Sequence, residues 1–251
     1  GRLTLPVQLL LAFVAGVLYP LAFAPFHLWP LTFASAAVLF WLLSRAEGQM
    51  LLLAWVFGLG KYAVGVSWIY VSIHQYGGAS PLLAGAMVTV FVAFMALFCL
   101  PIGWFLGKLK ASNQHISKSA LAMGFVATWV LMEWMLTWFL TGFPWLFAGH
   151  AMLGTPLQGY APVIGTFGLS LVVMTITAAA MLSADQAQTS RVRIGTAGVV
   201  LVLVGLGISL DTQVWTKPTG RYEAGLVQGN IDQAIKWDAD QRLNNVRKHM
   251  Q

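Results

Sequence analysis

The sequence predicts an α-helical polytopic membrane bundle of about seven transmembrane helices, followed by the first strand and helix of an α/β sandwich domain. Three observations predict it. The 251 residues are 58% apolar and only 9% charged, with a mean hydropathy of +0.74, whereas about a quarter of the residues in a soluble domain are charged. Apolar windows close to the roughly 20 residues needed to span a bilayer recur along the first 210 positions. After Leu210 that pattern stops, and LVQGNIDQAIKWD at 226–238 is the first lengthy stretch that reads as water-soluble structure. The domain division is therefore 1–210 for the membrane bundle and 211–251 for the opening of a globular domain.

The spans fall in order at Leu5–Phe23, Trp29–Leu43, Gln49–Ser72, Pro81–Leu106, Ala120–Leu140, Pro162–Leu182 and Ile194–Leu210. The first carries a basic residue before it and an AFA triplet at its end, as a signal peptide does, but proline and further spans follow, so it reads as an uncleaved span. The second is short and tilts little or borrows its flanks. Glycines 58, 60 and 65 in the third span and 195, 198, 205 and 207 in the seventh predict close helix packing. In the tail, Leu226–Asn230 alternates as a buried strand does and breaks at Gly229, and the residues beyond are polar and helix-compatible.

Charge fixes the expected orientation. Arg2, Arg45, the group Lys108, Lys110 and Lys118, and the pair Arg191 and Arg193 occupy the amino terminus and every second loop, while the alternate loops carry neither lysine nor arginine. Positive residues stay cytoplasmic, which puts the amino terminus inside and the tail after Leu210 outside. The net charge of +6 thereby reads as topology rather than as a nucleic-acid site. Trp29, Trp68, Tyr70, Tyr76, Trp138 and Trp145 then fall at outer ends, where amphipathic rings favour the headgroup layer. The outer loop 141–161 is too long and apolar for a bare connector. It predicts a segment lying in the interface and shaping a surface for a lipid-like ligand.

The single cysteine, Cys99, lies within an apolar run, so no intrachain disulfide exists. The histidines are scattered without an i, i+4 partner, and no P-loop or GxGxxG occurs, so no metal or cofactor is expected. Two ionisable residues fall inside spans, Lys61 and Glu133. An isolated charge in hydrocarbon is costly, and Lys61 sits only about 6 Å deeper than Glu133 at a rise of 1.5 Å per residue, so the two are expected to pair. An ion- or proton-coupled transporter built on this pair is the alternative reading.

These residues resemble a known family, the bacterial apolipoprotein N-acyltransferases. The resemblance rests on FAPFHLWPL (23–31), SWIYVSIHQYGG (67–78), Glu133 through FLTGFPWL (139–146), PLQGYAPVIG (156–165) and VQGNIDQAIKWD (227–238), in family order. It implies a membrane-embedded helical domain in the bacterial inner membrane, then a periplasmic nitrilase-like α/β domain, with Leu226–Ile231 as the first strand and Asp238–Met250 opening its first long helix. It also implies a Glu, Lys and Cys triad, all downstream of KWD and outside this chain. The cysteine takes an acyl chain from a phospholipid as a thioester and passes it to the amino group of a diacylglyceryl apolipoprotein. A thiolate serves as both acceptor and leaving group, Glu relays protons and Lys stabilises the oxyanion. Neither Cys99 nor the pair Lys61 and Glu133 stands in for that triad. By resemblance, Trp237 belongs to the active site, Gln228, Gly229 and Asn230 to the strand tip facing it, and Pro144 and Trp145 to the outer loop where the acyl chain enters, with Glu133 beside them.

Two positions depart from the family pattern. Relatives often carry a basic residue one turn after the glutamate, where Leu136 stands here, while Lys61 occupies a place usually apolar. Relatives commonly follow GFPWL with Gly-Tyr, where this chain has Gly149 and His150.

Overall fold

In the computed structural model, residues 3–113, 115–232, 236, 239–248 and 250 are described. Nine α-helices precede the tail among the described residues: α1 Leu5–Leu18, α2 Pro30–Arg45, α3 Met50–Gly65, α4 Trp68–Val71, α5 Pro81–Ala96, α6 Leu100–Ser112, α7 Lys118–Met135, α8 Ala161–Ala184 and α9 Ser190–Asp211. Proline at the first turn starts α1, α2, α5 and α8 where its missing N–H costs nothing. Ser80, Ser117 and Thr189 cap α5, α7 and α9 through side-chain oxygens that accept from Leu83, Ala120 and Val192 amides.

Four helical stretches are long and apolar enough to cross a membrane: Leu5–Ala22, Pro81–Ser112, Pro156–Ala184 and Ser190–Asp211. A fifth is Met50–Gly65 with Trp68–Tyr76, bent by 50° at residues 66–67. The stretch after that bend ends in a π-helical turn, Ser72–Tyr76. Helix α2 has only 16 residues, in keeping with the short second span expected.

Helix α3 is the hub, packing against α1, α2, α5 and α6. Its glycines explain why. A Cβ on Gly60 would stand 2.3 Å from the Phe13 carbonyl, and one on Gly16 would stand 2.1 Å from the Phe57 carbonyl, so α1 and α3 cross backbone to backbone. Between lipid-solvated helices this close approach supplies the dispersion contact that drives association. Gly58 meets Ala96 in the same way, and Gly103 of α6 meets Met50. The seventh span departs from expectation: a Cβ on Gly195, Gly198 or Gly205 would meet nothing within 4 Å, and only Gly207 is packed, against Leu157 and Tyr160. Helix α9 lies at the edge of the bundle, touching α8 and the turn Pro156–Tyr160, and its remaining faces are open.

The basic residues gather at one end. Lys110 Nζ donates to the carbonyls of Leu43, Ser44 and Ala46 at 3.1, 2.8 and 2.9 Å, capping α2 with all three hydrogens. Arg193 Nε donates to the Ser183 carbonyl, and Lys118 pairs with Asp185. That hydrogen bond from Lys118 holds the Asp185 carboxyl below the usual carboxylate range. The opposite end carries the exposed rings of Trp29, Trp68, Tyr76, Trp138 and Trp145.

No strand forms among the described residues of the tail. Residues 213–232 carry neither helix nor strand and are mostly exposed, and Asn230 takes a left-handed φ of 45°. The strand expected at 226–230 has no neighbouring strand to complete its ladder, and an unpaired strand is not stable by itself. The helix expected from Asp238 is present in part, as a 3-10 turn at Ala239–Gln241 and α10 Arg242–Lys248.

Candidate functional site at the aromatic end of the bundle

The chain leaves α7 at Met135 and returns at α8 through a segment built from tight turns. Leu140, Thr141 and Leu146 adopt left-handed φ values of 48, 75 and 59°, and Gly142 one of 82°. Such backbone is costly for residues bearing a Cβ and persists only where surrounding contacts impose it. Those contacts are visible. The Phe143 amide donates back to the Leu136 carbonyl, and the Trp145 amide donates to the Phe143 carbonyl at 2.8 Å, closing a three-residue turn around Pro144. The Trp145 indole donates to the Gly65 carbonyl at the end of α3, at 2.9 Å. Leu146 is buried and lies where a Gly65 side chain would stand, 2.3 Å from an ideal Cβ.

Glu133 lies beneath this segment, fully buried in the last turn of α7. Its Oε1 accepts from the Trp129 indole, one turn earlier on the same helix, at 2.9 Å, and from the Ala148 amide of the loop at 2.8 Å. The next amide, Gly149, donates to Ser170 Oγ on α8 at 2.8 Å. His150 stacks on Phe147 with ring centroids 5.4 Å apart, and its Nε2 lies 3.4 Å from Thr166 Oγ1.

The expected pair between Lys61 and Glu133 does not form. Lys61 Nζ has no hydrogen-bond partner, and no carboxylate lies within 4.0 Å of it among the described residues. The ammonium instead sits 4.8, 5.2 and 5.5 Å from the ring centroids of Tyr19, Tyr62 and Trp129. Trp129 contacts both charged groups instead, its ring facing the ammonium and its indole donating to the carboxylate. The cation is held by π faces, and the carboxylate by the Trp129 indole and the Ala148 amide.

An apolar groove of ≈ 570 Å³ opens sideways between the bent stretch after α3 and helix α5. Ile69, Ile73, Met87, Val90, Phe91 and Phe94 line it. A row of rings joins it to the outer loop: Phe91 meets Phe143 edge-on at 5.4 Å, Phe143 meets Trp145 at 5.8 Å, and Trp145 meets Trp68 at 5.6 Å.

Of the residues singled out from sequence, Pro144 and Trp145 come together on the exposed rim of this end, with Glu133 buried below rather than lining an open surface. Gln228 and Asn230 lie exposed in the tail, and Trp237 lies outside the described residues. Sequence reading missed Trp129, Ala148 and the groove. The i, i+4 spacing of Trp129 and Glu133 on one helix was the signal available for the first; a loop amide and a groove between two separate segments leave none.

A profile for the family described as "Apolipoprotein N-acyltransferase N-terminal domain" matches residues 15–179. Among curated proteins, the apolipoprotein N-acyltransferase of Pseudomonas syringae pv. tomato is 41% identical over 240 residues, covering 94% of this chain and 46% of the relative. Those of Coxiella burnetii and Vibrio cholerae are 38% and 34% identical over 241 residues each, covering 92% and 95% of this chain and 47% and 46% of the relatives. The chain thus spans about half the length of the curated relatives it matches. With the match running through the α1–α8 bundle and its outer loop, this chain belongs to the apolipoprotein N-acyltransferase N-terminal domain family.

Proposed function

We propose that this chain is the membrane portion of a phospholipid-to-apolipoprotein N-acyltransferase and that its role is to seat the acyl donor. The observation that carries this reading is the apolar groove beside α5, open sideways and joined by a row of rings to the loop holding Pro144 and Trp145. A chain confined between two protein walls loses less lipid contact than a polar group would, and interfacial tryptophans suit the headgroup at its mouth. All seven predicted segments cross the inner membrane in this reading, with the basic end cytoplasmic and the aromatic end periplasmic. The tail from 211 then opens a periplasmic nitrilase-like domain in which Leu226–Asn230 becomes a strand once neighbouring strands complete its ladder. Trp237, Gln228 and Asn230 would line that domain's site. The chemistry is a thiolate attacking the phospholipid ester carbonyl, expelling the lysophospholipid alkoxide as its alcohol, followed by attack of the lipoprotein amine on the thioester and return of the thiol. The transporter alternative gains no support, because Lys61 and Glu133 are both fully buried among aromatic rings.

The test is transfer of a labelled acyl chain from phospholipid to a diacylglyceryl-cysteine peptide by the full-length protein, with Val90→Trp as a groove-filling variant. Transfer that falls at least tenfold at limiting phospholipid in that variant, with its melting temperature kept, is the expected result. Absence of transfer by the unaltered full-length protein overturns the activity, and an unchanged rate in the variant overturns the groove as its acyl site.

A further inference from the structure

Lys61 is the largest charged side chain at the centre of the bundle, and acyl seating makes no use of it. It is fully buried, as are Tyr19, Tyr62, Trp129 and Glu133 around it. The ammonium faces three aromatic rings with no carboxylate within 4.0 Å among the described residues, so its field acts on the polar groups of the same low-dielectric pocket. One of those groups is Glu133, one turn along α7 from Trp129. The two share Trp129: its ring faces the ammonium, with the centroid 5.5 Å away, while its indole N–H donates to Glu133 Oε1. A cation at a π system draws electron density from the ring and strengthens its N–H as a donor, and an anionic carboxylate is a stronger acceptor than a neutral acid. The same carboxylate oxygen holds the Ala148 amide of the outer loop.

We propose that Lys61, acting through Trp129, keeps Glu133 as the anionic anchor of the outer loop, which makes Lys61 a positioning residue for the segment around Trp145. Helix α3 thereby holds the loop twice. Directly, the Gly65 carbonyl takes the Trp145 indole; indirectly, Lys61, one turn deeper, acts through Trp129 and Glu133 on Ala148. Because Phe143 and Trp145 connect this loop to the groove wall, the anchor sets the groove's mouth, a consequence that rests on the acyl-seating reading, whereas the anchor itself does not.

Hydrogen exchange of the full-length protein in lipid nanodiscs tests the anchor without any assay of activity. In Lys61→Met, peptides covering 143–152 should exchange at least tenfold faster, while those covering α2 near Lys110 stay unchanged. Glu133→Gln keeps an oxygen able to accept both hydrogen bonds and removes only the charge, and it should loosen the same peptides by a similar factor. It also decides the matter if Lys61→Met fails to accumulate. The double variant should add little to either single one. Unchanged loop exchange in Glu133→Gln, or single effects that multiply in the double variant, would overturn the anchor. If the loop loosens as stated but transfer at limiting phospholipid does not fall, the anchor stands and the acyl-seating reading fails.

Discussion

At the scale of single residues, the buried polar groups carry the energetic weight. Trp129→Phe leaves a smaller aromatic ring near Lys61 and deletes the indole donor to Glu133. Losing one hydrogen bond to a buried charged acceptor costs about 1.5–3 kcal/mol, so the variant should melt several degrees lower in detergent, read by tryptophan-independent light scattering. An unchanged melting temperature would mean that the Ala148 amide alone satisfies the carboxylate. The contrast is Lys118 and Asp185 at the basic end, a partly exposed pair. Its stabilisation is present above the unfolded carboxylate pKa and is lost as pH falls through the depressed folded value. Screening by solvent keeps it small, and Asp185→Asn should cost no more than about 1 kcal/mol.

At the scale of elements, glycine decides which helices touch. Gly60→Leu drives a side chain into the Phe13 carbonyl and the Val17 backbone nitrogen, 2.3 and 2.9 Å from its Cβ. Backbone on both sides leaves no flexible atom to yield, so α1 must separate from α3, and the expected result is loss of the folded, monodisperse protein in detergent. Gly198→Leu, with nothing within 4 Å of its Cβ, should leave the melting temperature within about 2 °C, since surface substitutions away from packed features cost within about 0.5 kcal/mol. Equal behaviour of the two variants would contradict the edge position of α9. Both spans are glycine-rich in sequence, and composition alone treats them alike; the difference arises because α3 is enclosed by four helices while α9 borders few.

At the scale of the whole molecule, the two ends differ in chemistry, and the proposed topology rests on that difference. Reporter fusions after Arg45, Lys110 and Arg193 should read as cytoplasmic, and fusions after Gly78, Gly154 and Gly220 as periplasmic; a periplasmic reading at Lys110 would invert the proposed arrangement. Residues 1–251 alone should insert in membranes and transfer no acyl chain, because the resemblance puts the triad outside them; turnover by this chain alone would relocate the active site. Much of this was legible in the sequence, since hydrophobic windows, loop lysines and first-turn prolines act through local chemistry that needs no partner. The helical character of the first 210 residues, the order of the apolar segments, the segregation of basic and aromatic residues and the family motifs therefore came from the chain read in one dimension, whereas four to five stretches among the described residues, not the seven expected, are long and apolar enough to span. Tertiary structure alone decided that Trp129 contacts both Lys61 and Glu133, that a loop amide 15 residues away completes the carboxylate, and that a groove opens beside α5. Those outcomes depend on which side chain fills a shared space, and helical rise gives depth along the membrane normal without giving the direction in which a side chain points.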